Sequence, residues 1–310
     1  MEILNALTID VEDYFHVSAF EEHIDRRDWH RWLCRVVPNT HRLLELLRRY
    51  QLRATFFVLG WVARHYPQLV RDIHAEGHEI GSHGFWHRLI YQQSPDEFRS
   101  DLRQSREVLQ QIIGEPVAAY RAPSFSITAR SAWAWQVLAE EGFCFDSSVF
   151  PIYHDRYGIP NADPAVHQVH TPSGSLWEFP LPVVRFLRWN VPVGGGGYFR
   201  LYPLPLTRLL LSRLNRRFGR PFVCYVHPWE IDPQQPRLRC GSRVSRWRHY
   251  VNLGRTEAKL DALCRQFRFG TLSEAINAWH QQNHSSEPRS ASGNQQYARR
   301  KIGAAGGTTL

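Results

Sequence analysis

The chain has 310 residues, 43% hydrophobic and 22% charged, a globular balance that excludes a wholly disordered protein. Its formal net charge of +9 comes mostly from arginines spread along the chain, with no basic run interleaved with aromatics; this points to an anionic partner other than nucleic acid. Five cysteines without a CxxC pair argue against both a disulfide framework and a cysteine-rich zinc site.

No apolar run approaches the ~20 residues of a membrane-spanning helix. The opening Met1-Glu2-Ile3-Leu4-Asn5 has neither a basic region nor an apolar stretch of signal-peptide type, so the expectation is a soluble cytoplasmic protein. In chain order, residues 3–10 read as a buried strand delivering acids at its end. Residues 37–50 read as a helix with a Leu43, Leu44, Leu46, Leu47 stripe, and 54–59 as a second strand closed by Gly60. A helix over 67–75 stops at Gly77; 79–83 is a short strand or turn; a long amphipathic helix over 95–113 ends at Gly114. The alternation continues through 118–121, 131–141, 143–146 and 222–227, which predicts parallel strands with crossover helices and an α/β barrel with its functional groups at the carboxyl ends of the strands. Residues 150–221, rich in Pro and Gly, read as an insertion carried by the barrel. Residues 284–310 turn to Ser, Gly, Gln and Ala and read as a disordered tail.

Five strand ends carry chemistry. His83 and His87 are spaced i, i+4, which on one face of a helical turn lets both imidazoles reach one metal. Asp10, Glu12 and Asp13 crowd three carboxylates at the end of the first strand, a repulsion that a cation offsets. Arg121 can hold a carboxylate ionised by a bidentate pair. Asp146 and His227 each end a short apolar strand. Together these parts make a metal-assisted hydrolase: a carboxylate and two histidines for the metal, a free carboxylate for the proton of water, a separate histidine for the departing amine. Gly194–Gly197 lacks a following Lys-Ser/Thr, so it is no P-loop. It reads as a loop packing close to a sugar with Tyr198 and Arg200 beside it, or as a surface loop. Trp86 and Trp229 are candidates for stacking on sugar rings.

The segments Ala54–Gly60 and Gly77–His83, with His87, resemble the polysaccharide deacetylases of the NodB-homology type, carbohydrate esterase family 4; all five family motifs occur in order. The opening Thr8–Phe15 and the Val191–Arg200 segment further resemble the branch associated with exosortase exopolysaccharide gene clusters, which carries an extra C-terminal region, here 228–283. The resemblance implies a distorted (β/α)7 barrel over residues 1–283. It implies Asp10 as general base held by Arg121, and His227 as general acid tuned by Asp146. His83 and His87 become ligands of a divalent metal, usually zinc, and Phe125 joins the substrate-binding residues. The family's two adjacent aspartates are interrupted by Val11, so the metal carboxylate is Glu12 or Asp13; strand alternation favours Glu12. The usual Leu of the fifth motif is Tyr225, and the fourth motif is shortened to Asp-x-Ser.

The implied activity is removal of N-acetyl groups from an amino sugar of a bacterial polysaccharide or its lipid-linked precursor. The basic surface suits a lipid-linked carrier or the anionic inner face of a membrane, and 150–221 would form a lid. Rival expectations are an amidohydrolase of the same fold acting on a small amide, and a non-catalytic sugar-binding protein.

Overall fold

The computed structural model describes residues 2–154 and 156–284; the expected tail, apart from His284, lies outside the described residues. The chain opens with β1 (Asn5–Val11), all seven residues buried, then α1 (Val36–Arg49) and β2 (Thr55–Val58). Next come α2 (Gly60–His65), α3 (Pro67–Ala75), β3 (Glu79–Ser82) and α4 (Pro95–Ile113). β4 (Ala119–Tyr120), α5 (Ala134–Glu140) and β5 (Phe145–Asp146) follow. The stretch expected as an insertion holds β6 (His167–Thr171), β7 (Gly174–Glu178), β8 (Val183–Phe186), β9 (Trp189–Pro192), α6 (Gly196–Leu201) and α7 (Leu204–Phe218). The chain then runs through β10 (Val223–Val226), α8 (Arg243–Tyr250), α9 (Leu253–Cys264), β11 (Phe269–Gly270) and α10 (Leu272–His284).

Local chemistry explains the boundaries. α4 begins where Ser94 caps the Glu97 N–H and Glu97 reaches back to the Ser94 N–H, with Pro95 at the first helical position. It ends at Gly114, whose φ of 72° suits a glycine C-cap.

The main sheet runs in the order β10-β1-β2-β3-β4-β5-β7-β6, with β11 also on β1. Every pairing is parallel except β6 with β7. β7 is therefore a strand of the barrel wall, and residues 150–221 are woven into the fold rather than hung on it. Among the described residues the ladder does not close. A seam crosses the gap: Val193 N donates to Pro182 O and Tyr225 N to Gly194 O, both at 3.0 Å. Glycine is required there, because a Cβ on Gly195 would sit 2.0 Å from the Tyr225 ring. The glycine run thus meets a packing demand of the barrel first.

Strand alternation sorts the side chains into two cores. Leu7, Ile9 and Val11 of β1 join Phe56 and Val58 of β2 beneath the helices. Ala6, Phe57, Ala119, Val223 and Tyr225 form the barrel interior. Thr8 and Asp10 share the face of Ala6, so the β1 register sends one carboxylate into the barrel mouth. Burying the outer set stabilises each side chain by roughly 1.5–3 kcal/mol, which offsets the polar groups kept inside.

Candidate metal centre and active site

Asp10 is buried at the mouth of the barrel beside Arg121. Arg121 donates from Nη1 to Asp10 Oδ1 at 2.8 Å and to Thr8 Oγ1 at 2.7 Å, from Nε to Ser147 O at 2.9 Å and from Nη2 to Ser147 Oγ at 2.8 Å. Its guanidinium lies over the Phe57 ring, 4.4 Å from the centroid. The planar fork thus fixes one carboxylate oxygen, and Oδ2 lies 3.7 Å from His227 Nε2.

Just beyond Asp10, Glu12 N bonds back to Asp10 O at 2.9 Å, a tight turn that brings the next acid to the same mouth. Glu12 Oε1 accepts Trp229 Nε1 at 3.2 Å. Its Oε2 is buried, lies 2.7 Å from His87 Nε2, and has no partner in hydrogen-bond geometry. Single ligand atoms of Glu12, His83 and His87 all lie within 4.8 Å of one another. His83 Nδ1 is 2.9 Å from Arg121 O, so it must donate there, which leaves Nε2 as the free lone pair. Burial, with His87 nearby, pushes His83 down to about 4 and keeps it neutral. Burial would raise Glu12, but the imidazoles of His87, His227 and His83 outweigh it and hold the carboxyl well below its usual range. A lone carboxylate oxygen facing two imidazoles fits a divalent cation, in a donor set of the kind zinc hydrolases use.

The two histidines do not share a helical turn. Residues 83–88 are irregular, with Gly84 at φ 71° and His87 at φ 51°. The loop is folded by Asp101 of α4, whose carboxylate accepts Phe85 N at 2.7 Å and Trp86 N at 3.1 Å. Asp101 was missed in the sequence. Its signal is an acid among Phe98, Leu102, Ser105 and Leu109 on the buried face of an amphipathic helix.

Other expected residues fall elsewhere. Asp13 is not with the histidines: its Oδ2 accepts Arg35 N at 2.6 Å and Val36 N at 2.8 Å, so it caps the start of α1. Asp146 does not meet His227. It accepts Trp135 Nε1 at 3.0 Å, bonds Ser148 Oγ, and shares a buried environment with Glu178. The carboxylate on His227 is Glu230, whose Oε2 takes Nδ1 at 2.9 Å and the backbone N at 3.0 Å. Pro228 opens a single 3-10 turn that returns the i+3 side chain to the histidine. Burial would lower His227, but Glu230, Glu12 and Asp10 outweigh it and raise it to about 9.

Arg200 lines the cavity but is committed to protein: Nε donates to Glu230 Oε1 at 2.7 Å and Nη1 to His249 O at 2.7 Å. Trp229 lines the cavity but is buried, with the His227 and His249 rings stacked on it at centroid distances of 5.2 and 4.4 Å. Trp86 and Tyr198 lie outside the cavity lining; Trp86 packs toward Trp29 and Tyr198 against Phe150. Phe125 does line it. The cavity, about 170 Å³, joins Asp10, Glu12, His83, His87 and His227 to Phe125, Tyr225 and Gly196.

These features define an α/β barrel with a strand-end His/His/carboxylate centre flanked by an anchored acid and an anchored histidine. Residues 32–143 match the polysaccharide deacetylase family, and residues 147–277 match a domain of unknown function, DUF3473. The segment 32–143 thus carries the NodB-homology polysaccharide deacetylase signature. It is 33% identical over 84 residues to a peptidoglycan-N-acetylglucosamine deacetylase of Bacillus cereus, covering 27% of this chain and 30% of the relative. It is 32% identical over 100 residues to a chitooligosaccharide deacetylase of Azorhizobium caulinodans, covering 32% of this chain and 45% of the relative. The matches therefore span less than half of each relative. A solved structure from Mycobacterium smegmatis, assigned to the polysaccharide deacetylases, shares the fold at 20% identity and TM-score 0.60, over 94% of this chain and 93% of that one.

Proposed function

We propose that the protein is a metal-dependent deacetylase that removes N-acetyl groups from an amino sugar of a bacterial polysaccharide or its lipid-linked precursor, in exopolysaccharide synthesis. The observation that carries this reading is one cavity in which the Glu12, His83 and His87 ligand atoms converge beside Asp10 and His227. Those three residues would hold the ion, zinc by donor type; when bound it polarises the amide carbonyl and acidifies water. Asp10 takes the proton from the attacking water through Oδ2, since Arg121 engages Oδ1. His227 passes its Nε2 proton to the nitrogen as the C–N bond breaks, and acetate and the free amine leave. Glu230 holds the Nδ1–H so that Nε2 faces the cavity. Residues 150–221 form one wall of that cavity through Tyr157, Gly196, Gly197 and Arg200.

The test is acetate release from N-acetylated oligosaccharides by the metal-loaded protein. Asp10→Asn and His227→Ala should each lower kcat by about 10²–10⁴-fold with the metal retained. Undiminished acetate release by Asp10→Asn would remove the base and with it the mechanism.

A further inference from the structure

The β8–β9 hairpin stands apart from the main sheet as a two-stranded unit. Its pairs run Val183 to Pro192, Val184 to Val191, Arg185 to Asn190 and Phe186 to Trp189, which leaves Leu187 and Arg188 as a two-residue turn. The base is anchored: Val183 and Val184 are buried, and Asn190 Nδ2 donates to Pro151 O at 2.7 Å. The tip is bare. Phe186, Leu187 and Trp189 are 66%, 83% and 61% exposed, the reverse of what a soluble hairpin tip is built from.

The tip also carries strain. Leu187 sits at φ 53°, where a two-residue hairpin turn normally takes Gly or Asn. A branched apolar residue in that conformation costs about 1–2 kcal/mol, and a side chain this exposed gains little packing to offset it. Asparagine or glycine would relieve the backbone at once, so the leucine needs a reason outside the fold. Both flanking arginines are exposed; the Arg188 guanidinium lies 5.6 Å from the Trp189 ring centroid.

We infer that this hairpin tip is a membrane-interface anchor that inserts Phe186, Leu187 and Trp189 among the acyl chains of an anionic bilayer, with Arg185 and Arg188 at the headgroups. Apolar tip, aromatic ring and flanking cations are the combination that interfacial binding rewards. The net charge of +9 favours an anionic surface and opposes a second copy of this chain. A glycan would stack on the Trp189 and Phe186 rings but has no use for a leucine at the apex. The geometry also gives the anchor a purpose. Trp189 and the cavity-lining Gly196 are seven residues apart along the chain, so the tip lies within about 25 Å of the cavity wall. A lipid-carried substrate would be presented at that range. The anchor itself does not depend on the deacetylase reading.

The full chain is tested by co-sedimentation with vesicles of phosphatidylcholine alone and of phosphatidylcholine with phosphatidylglycerol. Wild type should pellet with the anionic vesicles and release at high salt. Leu187→Gly/Trp189→Ser should lose at least about tenfold in vesicle partition. The melting temperature of Leu187→Gly alone should hold or rise, which separates lost binding from lost folding. Acetate release from a water-soluble substrate should be unchanged in both. Equal pelleting of wild type and the double variant overturns the proposal, as does no pelleting of wild type. So does hairpin-dependent retention on an acetylated glycan gel without vesicle binding. Loss of acetate release with vesicle binding intact would count against the catalytic reading alone.

Discussion

Three carboxylates within four residues meet three different fates, and their partners decide them. Asp10 is held by Arg121, Glu12 faces two imidazoles, and Asp13 caps α1 more than twenty residues downstream. Asp13 could not be assigned from the sequence because its partners Arg35 and Val36 are brought to it by tertiary folding, which no local pattern records. The same holds for the partner of His227: the strand-end Asp146 looked apt, whereas the short turn through Pro228 places Glu230 there. Glu230 gives a residue-scale prediction. The raised His227 is protonated below about 9, so the alkaline limb of kcat/KM should fall as pH rises through that value. Glu230→Gln should move this limb to lower pH and lower kcat more than it raises KM, with metal content unchanged; a pH–rate profile reads all three. An unmoved limb would mean that Glu230 acts only in packing.

Elements place these groups, and they were unevenly legible. The bounds of α4 follow from Ser94, Pro95, Glu97 and Gly114 with no tertiary knowledge. The His83–His87 spacing suggested a helix, yet a loop with two left-handed residues brings the same imidazoles together, and spacing alone does not distinguish them. Asp101 holds that loop, so Asp101→Ala should weaken metal affinity about 10–100-fold, read by competition with a chelating dye. Affinity equal to wild type would show that the loop holds its shape unaided. At the seam, Gly195→Ala drives a methyl into the Tyr225 ring and should cost about 2–3 kcal/mol of stability. Gly195→Ala/Tyr225→Leu should recover part of that loss in denaturant titration, whereas additive losses would mean that the seam is not the point of strain.

At the scale of the whole molecule, the parallel barrel was legible because buried strands alternated with helical patterns. The structural part of residues 150–221 was not, because β7 joins the sheet beside β5 after a long irregular excursion. Glu141 forms an electrostatic clasp with Arg99, Arg103 and Arg106 at 3.0, 2.9 and 3.7 Å. Burial raises Glu141, but the arginines outweigh it and lower it from 4.5. Its contribution is therefore present above pH 4.5 and lost as pH falls further. Glu141→Gln should be about 1 kcal/mol less stable at neutral pH, the gap closing in acid; a constant gap across thermal melts would contradict this. The central claim is the identity of the metal centre, and the direct measurement is metal content of the purified protein for wild type, Glu12→Gln and Asp13→Asn, with acetate release in parallel. Near-stoichiometric metal in wild type and Asp13→Asn, lost together with acetate release in Glu12→Gln, is the predicted result. Full metal in Glu12→Gln, or its loss in a folded Asp13→Asn, would contradict it.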